Sequence, residues 1–192
     1  LARDAAQAAV QHHRRIVLEG SWRADATVYL DNRQMNGHPG FFVVTPLLLD
    51  DRTAVLVQRG WLPRDPRDRT RIAAPATPAG RVRLHGRIAP PPAPLMALGA
   101  EEAGPIRQNL DLDAFASEFG LRLRPLSVLQ LERAVADDDA DDGLARQWPV
   151  PAADTGKHHG YALQWFALSA LTIGLYVWFQ LVRPRLRRRP TR

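Results

Sequence analysis

The feature that most limits what this chain can fold into is an uncharged run near its end, Tyr161 to Val182. At about 1.5 Å per helical residue it covers roughly 30 Å, the thickness of a bilayer's hydrocarbon core. Tyr161, Trp165 and Phe166 stand near one end, and Tyr176, Trp178 and Phe179 near the other. Amphipathic rings favour the two membrane–water interfaces, so the pattern reads as a pair of aromatic belts. A core helix of a soluble domain is the alternative, but such helices rarely carry so long an uncharged run. The run predicts a transmembrane helix over residues 157–182.

The tail fixes an orientation. Arg183, Arg185, Arg187, Arg188, Arg189 and Arg192 follow the run with no acid among them. Basic residues beside a membrane helix stay on the cytoplasmic side, and they can also meet anionic lipid head groups. Residues 183–192 therefore read as a basic cytoplasmic tail, and the rest as lying across a bacterial inner (plasma) membrane, in the periplasm. Export of that bulk needs a second membrane helix, expected upstream of Leu1.

The same tail explains the charge. The chain carries 26 Lys and Arg against 20 Asp and Glu, a net charge of +6. The tail arginines account for all of it, and without a basic face elsewhere there is no electrostatic footprint for nucleic acid. Cysteine is absent, which excludes disulfides, thiolate nucleophiles and Cys-type zinc sites.

Residues 1–14 are alanine-rich and read as a helical segment, with His12 and His13 adjacent rather than at the helical spacing a metal pair prefers. Short β-branched and aromatic stretches follow: Arg15–Trp22, Thr27–Leu30, Gly40–Thr45 stopped by Pro46, and Thr53–Trp61 ended by Leu62-Pro63. Residues 63–80 form a charged, proline-punctuated loop. Arg81–Ile88 alternates, with His85 on the face opposite Val82 and Leu84 and so solvated. Pro90–Pro94 is an extended polyproline-type segment. Leu112, Phe115, Ala116 and Phe119 share one helical face between Asp111 and Gly120, predicting a short amphipathic helix packed on the sheet. Leu126–Glu132 reads as a last strand. Residues 15–156 thus describe an α+β fold, an antiparallel β-rich extracytoplasmic domain with short helices, followed by the C-terminal transmembrane helix.

Enzyme motifs are missing. The chain lacks a glycine-rich phosphate loop, G-x-S-x-G and H-E-x-x-H. The run Asp137 to Asp142 fails as a calcium loop: counted from Asp137, the sixth position is Asp142 and the twelfth Trp148, where glycine and glutamate are required. It reads as a solvated acidic loop. The remaining polar constellation is at the membrane boundary. On a helix beginning near His158, Tyr161 follows at i+3 and Trp165 at i+7, so the three share a face, while His159 lies with Leu163 and Phe166 on a neighbouring one. An imidazole above an aromatic wall suits axial ligation of a haem iron. Two interfacial histidines capping a membrane helix fit the same residues.

Gly40-Phe-Phe-Val-Val-Thr-Pro-Leu47, Val55-Leu-Val-Gln-Arg-Gly-Trp-Leu-Pro63 and His158-His-Gly-Tyr-Ala-Leu-Gln-Trp-Phe166 resemble, in order and spacing, the surfeit locus protein 1 family. Glu19-Gly20 with Trp22, and Arg81–Gly86, match its weaker blocks. The resemblance implies a membrane-anchored, non-enzymatic assembly factor for cytochrome c oxidase, with two membrane helices flanking an extracytoplasmic domain. It further implies help in inserting haem a into subunit I, or in stabilising that subunit and its assembly intermediates. The matching histidine is His158, with Tyr161 and Trp165 packing on a transiently held haem a. A scaffold that binds no haem is the alternative. Arg59 and Trp61 are candidates for docking or strand-end packing. The block Arg107-Gln108-Asn109 lacks the aromatic the resemblance leads one to expect.

Overall fold

The structure is a computed structural model. It describes residues 1–68, 70–95, 104–132, 134, 141–148 and 155–183, with the side chains of 155–162 and 181–182 outside that description. The chain divides into two compact units, Leu1–Trp148 and Pro149–Arg192.

The first unit is built on strands β1 (Arg15–Trp22), β2 (Val28–Met35), β3 (His38–Leu48), β4 (Thr53–Pro63), β5 (Arg81–Ala89), β6 (Ile106–Arg107) and β7 (Arg122–Gln130). Helices α1 (Ala5–Gln11) and α2 (Leu112–Phe119) join them. The strand order is β1-β5-β7-β4-β3-β2-β6, and β1 also pairs with β3 through Ser21↔Leu48 and Trp22↔Leu47. Strands β1, β5, β7, β4 and β3 therefore close into a ring. Gly20 permits the closure: a Cβ there would stand 2.2 Å from the carbonyl oxygen of Leu48.

The sheet is mixed, which corrects the antiparallel expectation. Strands β4 and β7 run parallel, as do β2 and β6. Parallel neighbours need a long crossover, and here β5, β6 and α2 lie between β4 and β7 in the chain. Sequence alternation reports which strands are half-buried, not their direction.

Both faces of β4 are covered, which explains its unbroken apolar run. Val55 and Val57 point into the ring with Leu18, Leu84 and Val128, and Ala2 and Ala8 from the α1 region join that cluster. Leu56 points the other way, to Leu30, Val44 and Phe115 of α2. Helix α2 has the predicted bounds. The Asp111 side chain caps it by accepting from the amides of Asp113 and Ala114, and Gly120 ends it in the left-handed region at φ 64°.

Two prolines do not stop their strands. Pro46 lies inside β3, where its carbonyl accepts from the amide of Arg23, 3.0 Å away. A residue's N–H and C=O point to the same side of a strand, so the missing N–H faces away from the β4 ladder. Pro125 lies inside β7 where the register with β4 shifts between Ala54↔Leu123 and Leu56↔Ser127. An irregularity of that kind accommodates a residue without an N–H.

The second unit contains helix α3 (Thr155–Val177), continued by one π-helical turn, Trp178–Val182. Its apolar side chains are exposed, from Leu163 at 73% to Phe179 at 50%. Among the described residues no helix is long and apolar enough to cross a membrane. The predicted basic tail beyond Arg183 lies outside the described residues.

Candidate functional site

The most unusual side chain in the ring is Arg59. Ala54 to Val57 of its strand are apolar, and the β3–β4 register passes from Val44↔Gln58 to Val43↔Gly60, leaving Arg59 as the extra residue of a bulge. Bulges re-aim side chains, and this one puts a guanidinium in the interior at 2% exposure. The Cζ of Arg59 lies 4.9 Å over the centre of the Trp22 ring. Its Nη1 donates to Thr77 Oγ1 and its Nη2 to the carbonyl of Ala76, both at 2.6 Å. These bonds tie the proline-punctuated loop to the sheet.

Asp142 supplies the counter-charge. Its Oδ2 is 3.9 Å from Arg59 Nη2 and also accepts from Arg146 Nη2, while its Oδ1 accepts from the amide of Leu144 at 3.2 Å. Asp142 is buried, so the solvated acidic loop expected there is corrected at this residue; Asp137, Asp138 and Asp139 lie outside the described residues. An aspartate in an acidic run looks solvated until a distant arginine recruits it, and its partner Arg59 is far away in sequence. Burial pulls the Arg59 pKa below its ordinary value, and Asp142 pushes it back up. A guanidinium starts so high that it stays charged. Burial likewise raises the Tyr29 phenol, against a smaller opposing pull from Arg59.

Segment 141–148 is held along the ring by more than this ion pair. Trp61 and Ala145 exchange backbone hydrogen bonds at 2.8 and 3.0 Å. Trp148 donates from Nε1 to the carbonyl of Gln130 at 2.6 Å, and its ring meets Phe42 edge-on at 5.2 Å. Trp61, the other strand-end candidate, is buried; its ring packs on Gly40, where a Cβ would lie 2.5 Å away, and its Nε1 donates to the carbonyl of Arg33. Both candidates therefore hold the fold together.

The block at Arg107-Gln108-Asn109 makes polar contacts instead of aromatic ones. Arg107 Nη2 donates to Glu118 Oε1 and its Nε to the carbonyl of Gly104, both at 2.6 Å. The Gln108 carbonyl accepts from Arg33, and the Asn109 amide bonds the backbone of Leu95 in both directions. His85 is exposed, as expected, and borders a cavity of about 270 Å³ with Arg15, Val17 and Glu132.

The positions singled out for haem lie on one element of the second unit. His158, Tyr161 and Trp165 all fall within α3, at i, i+3 and i+7. The side chains of His158 and Tyr161 lie outside the described residues; that of Trp165 is 66% exposed. Among the described residues no group of three or more His, Asp or Glu side chains could hold a metal ion. Thr172 donates its hydroxyl to the Leu168 carbonyl one turn earlier in the helix, at 2.9 Å.

A search of curated proteins finds no match to this chain. One family model does match, that of the SURF1 family, over residues 1–170. That match covers every strand of the ring, the segment carrying Asp142, and α3 as far as Ala170 with positions 158, 161 and 165. The chain belongs to the SURF1 family.

Proposed function

We propose that this chain is a membrane-anchored, non-enzymatic assembly factor for cytochrome c oxidase that helps haem a enter subunit I or steadies the subunit that carries it. The observation behind this reading is the family match over residues 1–170, since the SURF1 family is known for cytochrome oxidase assembly. The family is generally membrane-associated. On this reading the span is 157–182, from the third residue of α3 through the π-helical turn. The uncharged sequence from Tyr161 to Val182 and the exposed apolar side chains of α3 support it. The arginines after Val182 support a cytoplasmic C-terminus and a periplasmic ring domain.

Haem a is cargo in this scheme. His158 is the axial ligand, and Tyr161 and Trp165 form the apolar wall on the same helical face. The open surface of Trp165 suits a planar macrocycle, and a single imidazole suits a carrier, because a cage of several ligands would oppose release. The test is a haem titration of the detergent-purified chain followed by the Soret band, with His158→Ala beside wild type and His159→Ala as control. A shifted band lost only in His158→Ala is the expected result. Indistinguishable titrations would leave a scaffold that binds no haem.

A further inference from the structure

Strand β1 is longer than the seam that closes the ring. Its pairing with β5 runs from Arg15↔Arg87 to Ser21↔Arg81, but on its other side it meets β3 only at Ser21↔Leu48 and Trp22↔Leu47. Strand β3 ends at Leu48, so β1 from Arg15 to Glu19 runs on past it as an edge. The alternation of an antiparallel ladder tells which backbone groups that edge presents. The amide of Ile88 donates to the Arg14 carbonyl at 2.9 Å, so Ile16 and Leu18 also turn their N–H and C=O groups to β5. The His85 carbonyl, opposite Val17, points away from β1 and accepts from the amide of Leu131 at 3.0 Å. Both bonds give the same phase: the N–H and C=O groups of Arg15, Val17 and Glu19 face outward. None of these groups has a hydrogen-bond partner among the described residues. An unpaired edge is a template for another strand.

The side chains of the same three residues are exposed, Val17 at 45%. The arginine stands two residues before the valine and the glutamate two after it. A second copy laid antiparallel, Val17 opposite Val17, therefore sets Arg15 opposite Glu19 at both ends and Ile16 opposite Leu18 between. In that register every outward N–H meets an outward C=O. A slip of one residue sets outward groups against inward ones, and a slip of two leaves the arginine facing valine. Like charges on an edge repel a second copy; opposite charges spaced equally about Val17 attract one. Glu19 does reach Arg83 at 3.6 Å, but both side chains are more than half exposed, so that pair holds it weakly. His13, in the left-handed region at φ 69°, turns the chain out of line ahead of Arg15, and the seam occupies Ser21. The pairing thus has a limit at each end.

We propose that β1 is a homodimer edge, two copies pairing antiparallel through Arg15–Glu19 about a two-fold axis at Val17. The occupant is a second copy because charge, hydrogen-bond phase and apolar centre are all self-complementary in one register. The contact is isologous and closes on itself. It goes beyond the oxidase reading and needs neither the membrane span nor the haem site.

The chain has no cysteine, so Val17→Cys supplies a single thiol. Facing residues of a hydrogen-bonded pair have Cα atoms about 5.5 Å apart, a separation that a disulfide bridges. Mild oxidation of the detergent-purified full chain carrying Val17→Cys is expected to give a linked dimer quickly. Val10→Cys, 71% exposed on α1, should link only at the slow collisional rate. Added to Val17→Cys, either Arg15→Glu or Glu19→Arg puts like charges at both ends and should slow linkage about tenfold. Mixing those two variants restores opposite charges at both ends and should restore the rate. That rescue separates pairing from damage to the fold, which mixing cannot repair. Val17→Cys linking no faster than Val10→Cys, charge variants linking as fast as their parent, or a mixture that does not recover overturns the proposal. Linkage of the introduced thiol in intact membranes to a different protein, and not to a second copy, also overturns it.

Discussion

The ring of the first unit and helix α3 of the second treat the same kinds of side chain in opposite ways. In the ring, Ala54, Val55, Leu56 and Val57 are wholly buried, and so is the cation two residues on, Arg59. In α3, Leu163, Trp165, Phe166, Leu171 and Ile173 are each more than half exposed. The ring strand needs no outside cover because it has two faces and the fold supplies a layer for each: the ring interior for one, α2 for the other. Helix α3 has apolar side chains all around and no layer within the described residues to receive them. A helix apolar all round requires burial, and on the proposed reading a bilayer supplies it. Charge follows the converse rule. Among the described residues, the buried Arg59 has the carboxylate of Asp142 as its counter-charge, which Arg146 shares.

The sharpest way to break this contrast is Asp142→Asn. It leaves two buried arginines without their carboxylate and should cost about 3–5 kcal/mol in urea unfolding, whereas Asp68→Asn on the exposed loop should stay within about 0.5 kcal/mol. Equal midpoints for the two variants would mean that the ion pair does not hold the segment. On the α3 side, Leu171→Arg places a charge near the middle of the proposed span. At about 3 kcal/mol for a central arginine, it should move a measurable fraction of the protein out of carbonate-washed membranes. A smaller effect is expected from Trp148→Phe, which removes only the indole bond to the Gln130 carbonyl: about 1 kcal/mol by the same unfolding assay.

The smallest effect concerns pH. The hydrogen bond from Arg107 holds the Glu118 carboxyl below the usual carboxylate range. Because the folded pKa is the lower one, the stabilisation is complete above the ordinary glutamate value and is lost as pH falls through the lowered one. Melting points measured from neutral pH downward should therefore show a slightly steeper acid limb in wild type than in Glu118→Gln.

Much of the local structure was legible in the sequence because its signals are local. Helix α2 announces itself through Asp111, Gly120 and four apolar residues on one face, and β5 through its alternation. What could not be read depends on residues distant in the chain. Nothing in Thr53–Trp61 says that its neighbour is the parallel strand β7, and nothing near Asp142 says that its partner is Arg59. Pro46 reads as a stop, and the last strand as starting only after Pro125, because the sequence does not tell which side of a strand needs its N–H groups. Arg59 did leave a trace, as one cation in a strand otherwise free of charge. That residue type is seldom buried without a partner, so a search for a carboxylate to pair with it could have found the node. The His158, Tyr161 and Trp165 set was legible as a helical spacing, and α3 places all three positions on one helix.

The most direct test of the oxidase reading is the haem a content and assembly state of cytochrome c oxidase in membranes of cells lacking this protein. The account predicts little haem a and little complete enzyme. The full-length gene should restore both, and a His158→Ala gene whose product still accumulates in the membrane should not. Oxidase that is complete and fully haem-loaded without the protein would contradict the account.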